Sequence, residues 1–152
     1  MSSVGANKLR IVNADSGGTT IAFPDVCKTP TSGGPIPIPY PNIARSADTA
    51  QGSKKVKVEG KPICIKTSCF QKSNGDEPGR VGGVVSSTTR DKAEFVNCSL
   101  DVKIEGQGTP RSFDLMLHNK KNTGPFPVLQ GPVMALGQGP VERTCYVCGK
   151  KF

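Results

Sequence analysis

The sequence predicts an all-β fold made of short hairpins joined by long loops rich in glycine and proline. Leu, Ile, Val and Phe form only about a fifth of the 152 residues, and Val (14) and Ile (8) dominate them, which favours strands. The 18 glycines and 13 prolines indicate frequent turns. No helical periodicity extends beyond two turns. A chain of this length and composition is expected to form one compact domain.

Two strands are predicted near the start of the chain. Residues 8–12 (KLRIV) and 19–23 (TTIAF) are rich in aliphatic and β-branched side chains. Residues 13–18 (NADSGG) between them have the composition of a hairpin turn. We therefore expect these two strands to pair with each other.

A proline-rich segment follows at residues 23–44 (FPDVCKTPTSGGPIPIPYPNIA). Proline fixes φ and has no backbone donor, so the run of alternating prolines in it must be extended and cannot be an interior strand. The residues between the prolines are apolar, unlike those of an ordinary proline-rich linker, which is the alternative. We expect a stiff surface segment that contacts the rest of the domain or a partner. The candidate partner-binding residues are Pro35, Ile36, Pro37, Ile38, Pro39 and Tyr40.

A β-hairpin is predicted at residues 54–66 (KKVKVEGKPICIK), where apolar and polar residues alternate on both sides of a glycine-containing turn. Its first half, VKVEG at residues 56–60, is repeated as VKIEG at residues 102–106. Both copies fall where a strand enters a turn. The sequence therefore indicates a duplicated β unit within one domain.

The rest of the chain is predicted to alternate between short strands and loops. Residues 68–79 form a loop, residues 82–89 a short strand or rim segment, and residues 93–99 a strand. Past Lys120, apolar residues are spaced among glycines and prolines, which is typical of an extended, packed tail. We therefore divide the chain into a domain at 1–122 and an extension at 123–152.

The formal net charge of +8 comes from scattered basic residues. Nucleic-acid-binding proteins usually concentrate basic residues in a stripe, with aromatic side chains that stack on bases. Here Trp is absent and Tyr occurs twice. We expect a solvated basic face and no nucleic-acid partner, and we keep a basic nucleic-acid-binding module as a third hypothesis.

The N-terminus, MSSVGANKLR, lacks the apolar region of a signal peptide, and no apolar run is long enough to span a membrane. We expect synthesis in the cytoplasm, with the six cysteines initially reduced. Cysteines in such a chain are metal ligands, small core residues or, more rarely, nucleophiles.

Enzymatic motifs are missing from the sequence. His118 is the single histidine, and neither a Gly-x-Ser-x-Gly elbow nor a Walker loop occurs. The adjacent acidic residues Asp76 and Glu77 lie in a loop, where such a pair usually belongs to a turn. We therefore predict that the protein is not an enzyme.

A structural metal site is the best-supported chemistry. A small apolar core gains folding energy from a bound metal, and tetrahedral zinc prefers thiolate and imidazole ligands. Hairpin ends that meet would bring such ligands together; the alternative is that the cysteines are small core residues. The predicted zinc ligands are Cys27, Cys64, Cys69 and His118.

A separate C-x-x-C knuckle lies near the end of the sequence, at Cys145 and Cys148. One knuckle supplies half of a zinc site, so two further ligands would have to come from a partner or from additional residues. A thioredoxin-like redox role would require a βαβ context, which the sequence does not predict.

Taken in order, several segments resemble the PAAR-like domain family, found at the tip of type VI secretion machines. They are FPDVCKTPTSGGPIPIPYPNIA, GSKKVKVEGKPICIKTSCFQKSNGDEPG, GGVVSSTT, AEFVNCSLDVKIEG and DLMLHN, within about residues 15 to 125. The resemblance implies a compact, cone-shaped β domain whose base sits on the blunt end of a trimeric VgrG-type spike. In the family, histidines and a cysteine hold a zinc near the tip, and the counterparts here would be Cys27, Cys69 and His118.

The resemblance thus implies a structural spike tip that caps and sharpens the VgrG trimer and carries or docks an effector. Toxin cargo and immunity or adaptor proteins are the expected further partners, and the protein would leave the producing bacterium on the injection spike. The alternative is a small toxin, or a fragment of a metal-dependent effector enzyme.

Overall fold

The computed structural model describes residues 4–131, which form short strands and one 3-10 helix at Ser46–Asp48. Within these residues no helix combines the length and the apolar character needed to cross a bilayer. The strands are β1 (Gly5–Ala6), β2 (Leu9–Arg10), β3 (Thr19–Thr29), β4 (Ile36–Arg45), β5 (Thr49–Ala50), β6 (Lys57–Val58), β7 (Lys61–Pro62), β8 (Cys69–Phe70), β9 (Ser73–Asn74), β10 (Gly82–Gly83), β11 (Ala93–Phe95), β12 (Lys103–Ile104), β13 (Gln107–Gly108), β14 (Leu115–Leu117) and β15 (Phe126–Leu129).

Nine of these strands form one sheet in the order β5-β8-β11-β14-β15-β3-β4-β9, with β10 added on β3. The all-β prediction is confirmed. Strand β15 lies between β14 and β3, so the predicted domain boundary between residues 122 and 123 cuts off a strand of this sheet. The main apolar core packs Phe70, Phe95 and Met116 with small residues around them.

The predicted pairing of residues 8–12 with residues 19–23 is wrong. Strand β2 pairs with β1, whereas β3 pairs with β4, β10 and β15. The turn signal between them is real, because the Asp15 amide donates to Asn13 Oδ1 at 3.0 Å and the Ser16 amide donates to the Asn13 carbonyl at 3.2 Å. This turn redirects the chain instead of closing a hairpin, and Asn13 forms a bridge with Ile63.

The proline-rich run is extended, as predicted, and lies in β4. Strand β4 pairs with β3 from Ile36 to Arg45, and its other side pairs with β9 only at Ile43 and Ala44. Since successive backbone amides point to opposite sides of a strand, prolines at every second position remove donors from one side only. The missing donors therefore fall on the free edge, where they also discourage the addition of another strand.

An irregularity in β3 changes which residues point into the domain. The register between β3 and β4 shifts between Ala22 and Asp25. Before the shift Thr20 and Ala22 are buried, and after it Asp25 and Cys27 are buried. With a strict alternation of side chains, Asp25 and Cys27 would have faced solvent.

The predicted hairpin in residues 54–66 is confirmed as β6–β7, and the repeated segment forms the matching hairpin β12–β13. Both turns use two residues with left-handed φ, Glu59 (51°) and Gly60 (77°) in one, and Glu105 (53°) and Gly106 (80°) in the other. Two central residues with positive φ define the type I′ turn that suits the twist of a two-residue hairpin.

A third copy of this unit, β1–β2, lies at the start of the chain. Its turn residues, Asn7 (φ 52°) and Lys8 (φ 67°), have the same backbone conformation. This copy is not evident from the sequence, because its residues 4–8 (VGANK) share only the first valine with VKVEG. The three hairpins pack around a second apolar cluster formed by Ala6, Ile11, Val58, Ile63 and Ile104.

Two backbone hydrogen bonds and one from a side chain join the three units in a cycle. Val12, Cys64 and Pro110 each follow the first valine of their unit by eight residues. The Val12 amide donates to the Pro110 carbonyl at 3.1 Å, and the Cys64 amide donates to the Val12 carbonyl at 2.9 Å. Proline cannot donate, and the hydroxyl of Thr109 closes the cycle by donating to the Cys64 carbonyl at 3.1 Å. The units thus have an approximate threefold arrangement.

Candidate functional site

The three hairpins, β1–β2, β6–β7 and β12–β13, form what we call the hairpin triad. Each one carries a partly exposed valine at the same position of the unit: Val4 is 42% exposed, Val56 40% and Val102 36%. The units are also linked at their surfaces, since the backbone amides of Lys54 and Lys55 donate to the Glu105 carboxylate. The triad therefore presents three equivalent apolar positions on a surface of repeated geometry.

A second feature is a group of buried polar side chains that we call the polar cluster. Strand β3 supplies Asp25 and Cys27 after its register shift, and the loop after β9 supplies Asp76. Among residues 4–131, these are the only three or more His, Cys, Asp or Glu side chains whose ligand atoms all lie within 4.8 Å of one another. The other members of the polar cluster are three asparagines: Asn42, Asn119 and Asn122.

The Cys27 sulfur lies between the two carboxyl groups. It is 3.6 Å from Asp25 Oδ1 and 3.8 Å from Asp76 Oδ2. All three side chains are completely buried. No lysine or arginine side chain within the described part of the chain forms an ion pair with either aspartate. Within the described residues, the polar cluster thus holds two acidic groups and a thiol that form no ion pair with a basic side chain.

The three asparagines orient these groups. Asn42 Nδ2 donates to Asp25 Oδ2 at 2.8 Å, and Asn119 Nδ2 lies 3.5 Å from Asp25 Oδ1 and 3.7 Å from the Cys27 sulfur. Asn122 Nδ2 also donates to Asp25 Oδ1 and, at 3.0 Å, to the Val26 carbonyl. Amide donors aimed at carboxylates and sulfur fix their positions.

Burial changes the acid–base properties of the polar cluster. It raises the pKa of the Cys27 thiol to about 12, and the charges of Asp25 and Asp76 act in the same direction. Burial also raises the pKa of Asp76 to about 6, helped by its hydrogen bond with Asp25 and opposed by the Arg90 amide. Burial thus shifts both Cys27 and Asp76 toward their protonated forms, relative to the free side chains.

A left-handed turn places Asn119 and Asn122 in the polar cluster. Asn119 (φ 48°), Lys120 (53°) and Lys121 (67°) are three successive non-glycine residues with positive φ. Such a conformation costs about 1–2 kcal/mol per residue, so surrounding contacts must hold it. The amide of Asn122 donates to the carbonyl of His118 at 3.0 Å, which closes the turn.

The four predicted zinc ligands do not converge. Of these, only Cys27 belongs to the polar cluster. Cys64 is part of the main apolar core, and burial raises the pKa of its thiol to about 12. Cys69 is buried on strand β8. These two match the alternative that the cysteines are small core residues. Cys145 and Cys148 lie outside the described residues.

His118 is completely buried and directly precedes Asn119 of the polar cluster, but its imidazole contacts Thr20 instead. Its Nε2 lies 3.0 Å from Thr20 Oγ1, and its backbone amide donates to Thr123 Oγ1 at 2.9 Å. Its Nδ1 has no hydrogen-bond partner among the described residues. Burial lowers the pKa of the imidazole to about 4, against a smaller opposing effect of Asp25. The ring is therefore neutral at pH 7, and it lies outside the group formed by Asp25, Cys27 and Asp76.

The proline-rich segment is more exposed at its start than at its end. Ile36 is 49% exposed, whereas Tyr40 is half-buried and its hydroxyl lies 2.5 Å from Thr29 Oγ1. Contacts within the domain thus occupy part of the segment that was predicted to bind a partner, namely Tyr40.

Sequence reasoning missed Asp25, Asp76 and the asparagines as site residues. The sequence predicts that the adjacent residues Asp76 and Glu77 both belong to a turn. In the structure their exposure differs, since Asp76 is buried and Glu77 is exposed. One usable signal was the D-x-C spacing at residues 25–27, which puts an acid and a thiol on the same face of a strand.

The all-β fold, with its proline-bearing strand and repeated short hairpins, agrees with a PAAR-like domain. The chain belongs to the family described as the toxin PAAR-like domain, whose model matches residues 18–125. It is also similar to the DNase toxin Tse7 of Pseudomonas aeruginosa, with 36% identity over 150 residues. This alignment covers 91% of the chain and 39% of the related toxin. No solved structure matches the chain significantly.

These findings correct the prediction that the protein is not an enzyme. The related protein is named as a DNase toxin, which is an enzyme, and this similarity contradicts an expectation that rested on missing motifs. The prediction failed because it relied on missing motifs, while the chain spans well under half the length of the relative. A missing motif in such a stretch does not describe the activity of a whole toxin. The family and the relative together support an effector of a type VI secretion system.

Proposed function

We propose that this protein is a secreted type VI toxin whose PAAR-like domain mounts on the end of a trimeric VgrG-type spike. The main support for this proposal is the arrangement of the hairpin triad. Three units with the same turn are joined by a cycle of hydrogen bonds and present Val4, Val56 and Val102 at equivalent positions. A surface with threefold repetition can contact three identical subunits in equivalent ways, with one copy per trimer.

Delivery and toxicity are two parts of this proposal. The domain is made in the producing bacterium and leaves it on the spike, and immunity or adaptor proteins are further partners. The similarity to a DNase toxin supports nuclease activity of the whole protein. That activity would make DNA a substrate of the whole protein, whereas the scattered basic residues of this chain give no separate support for it.

Docking is tested with the double variant Val56→Asp/Val102→Asp. Placing two carboxylates in an apolar contact costs several kcal/mol, so affinity for the purified spike trimer is expected to fall at least about 100-fold. Size-exclusion chromatography with light scattering and a titration by interferometry measure this. The wild-type complex should contain one copy of the protein per trimer.

The matched control is Val85→Asp, which changes a valine that is 74% exposed and lies outside the hairpin triad. Its affinity should equal that of the wild type. Ile36→Asp examines the proline-rich segment in the same assay. Unchanged binding of the double variant would refute docking through the triad, and loss of binding with Ile36→Asp alone would assign docking to that segment.

Nuclease activity is tested with the complete natural gene product and a supercoiled plasmid. We expect conversion of the plasmid to nicked and linear forms, and loss of chromosomal DNA in sensitive cells that express the protein in their cytoplasm. A preparation from cells with an empty vector controls for contaminating nucleases. An intact plasmid and intact chromosomal DNA would refute this part of the proposal and leave the docking result unaffected.

A further inference from the structure

Three exposed valines lie within five residues of one another beside strand β10. Val81 is 45% exposed, Val84 50% and Val85 74%. Backbone hydrogen bonds hold this segment against β3. The Val81 amide donates to the Lys28 carbonyl at 3.1 Å, and the amide of Val84 donates to the Val26 carbonyl at 3.0 Å. Single exposed valines are common on protein surfaces, whereas a group of them on a firmly held segment is typical of a contact surface.

Exposed basic residues adjoin the three valines, and the fold gathers them from separate parts of the chain. Lys28 lies opposite Gly82 in the pairing of β3 with β10 and is exposed. Arg80 directly precedes the first of the valines and is also exposed. These two cations are far apart in sequence and become neighbours only because β10 pairs with β3.

The left-handed turn at residues 119–121 adds two lysines to the same surface. Asn122, the residue after the turn, accepts a hydrogen bond from the Val85 amide at 2.8 Å through its Oδ1, which fixes the turn against the valines. Lys120 and Lys121 are both exposed. We call the three valines and the four cations the basic valine patch; its members are Val81, Val84, Val85, Lys28, Arg80, Lys120 and Lys121.

The charge of the patch is not neutralised by the domain itself. None of its four basic side chains forms an ion pair within the described part of the chain. Of the acidic residues in the adjoining segments, Asp25 and Asp76 are completely buried, and the Glu77 carboxylate lies 3.7 Å from Arg90 outside the patch. The patch therefore presents positive charge and apolar surface together to the solvent.

The patch and the hairpin triad lie at opposite ends of β3. Thr19 begins this strand and pairs with Leu129, and the next residue, Gln130, donates to the Ile11 carbonyl beside the triad at 2.8 Å. Lys28 is nine residues further along β3 than Thr19, which at about 3.3 Å per residue is about 30 Å away. In the proposed docking through the triad, the patch lies at the end remote from the spike.

We propose that the basic valine patch binds the surface of a membrane that contains anionic phospholipids. Basic side chains are attracted to such a surface, and exposed aliphatic side chains enter the boundary between headgroups and acyl chains. DNA is a less suitable partner, because its backbone offers no apolar contact to the valines and the patch has no aromatic side chain to stack on bases. Lipid binding by the patch requires neither spike docking nor nuclease activity.

Sedimentation of the purified chain with extruded vesicles tests the patch. Vesicles of phosphatidylcholine and phosphatidylglycerol should carry the wild-type protein into the pellet, whereas vesicles of phosphatidylcholine alone should not. Lys120→Gln/Lys121→Gln should lower the partition coefficient about 30-fold, because each basic residue near an anionic surface contributes about fivefold. Val84→Ser/Val85→Ser keeps the charge and should lower it about 10-fold, through the loss of apolar contact with the lipid.

The matched control is Lys54→Gln/Lys55→Gln, which removes the same charge from an adjacent pair of exposed lysines outside the patch. This variant should bind the anionic vesicles like the wild type, and circular dichroism verifies that every variant is folded. Equal losses in the two lysine variants would reduce the effect to net charge and overturn the proposal, as would wild-type protein that stays in the supernatant.

Unchanged binding of Val84→Ser/Val85→Ser would overturn the assignment to lipid, and displacement of that variant from the vesicles by duplex DNA would assign the patch to nucleic acid instead. Both patch variants leave the hairpin triad intact, so their affinity for the spike trimer should equal that of the wild type. A failure of spike docking and a failure of lipid binding are therefore observed separately.

Discussion

Replacing Phe70 with alanine is expected to lower the free energy of unfolding by about 3–5 kcal/mol. The Phe70 side chain is completely buried, and its ring packs edge-on against Phe95 with centroids 5.6 Å apart and an interplanar angle of 80°. It also lies at the register position shared with Ala93 and Thr49, so it connects β5, β8 and β11. These neighbours belong to a sheet that cannot easily close over the cavity.

The effect is large relative to the total stability, because domains of this size are stable by only about 5–15 kcal/mol and this core contains few large side chains. Urea denaturation followed by circular dichroism measures the loss. Phe113→Ala is the matched control, since Phe113 is 49% exposed and its truncation should cost less than about 1 kcal/mol. Similar denaturation midpoints for the two variants would contradict the assignment of Phe70 to the centre of the core.

The second large effect is expected for Gly75→Ala, by about 3 kcal/mol or more. Gly75 has φ of +131°, a conformation that side chains rarely adopt. A Cβ atom there would lie 2.0 Å from the carbonyl oxygen of Pro41, which is a backbone atom of β4 and cannot move aside cheaply. Because Gly75 directly precedes Asp76, the shift that relieves this clash also moves a carboxylate of the polar cluster.

Gly33→Ala is the control for this variant. A Cβ on Gly33 has no heavy atom within 4 Å, and its φ is outside the restricted range. Its denaturation midpoint should match that of the wild type. Normal stability of Gly75→Ala would show that the loop after β9 adapts freely, which its close packing on β4 argues against.

The accuracy of the sequence-based predictions depended on how local the determining interactions were. The hairpin at residues 54–66 was correctly predicted, because the alternating side chains and the Glu59-Gly60 turn are features of one short segment. Its third copy was not found, because Asn7 and Lys8 reach the same left-handed conformation with different residues. The predicted pairing of residues 8–12 with residues 19–23 failed although its turn signal was real, since strand partners depend on distant segments.

The prediction of the candidate site was limited for the same reason, because the contacts that form it are not local in sequence. Cys27 was recognised as a candidate ligand from its residue type, but its neighbours were chosen from the other cysteines and the single histidine. Cys64 and Cys69 instead fill space in the core, and His118 contacts Thr20. The residues that do approach Cys27 are remote from it: Asp76 is 49 positions away and Asn119 is 92 positions away. No local pattern encodes such contacts.

The proline-rich segment shows most clearly what the sequence determines by itself. Its extended backbone and its place at an open edge follow from the proline ring, which restricts φ and lacks a donor wherever it occurs. Only the tertiary structure decided that the partner strand shifts register before Asp25, which turns Asp25 and Cys27 inward toward Asp76. The difference is physical: steric limits act within one or two residues, whereas the burial of a side chain depends on segments that meet only when the whole chain has folded.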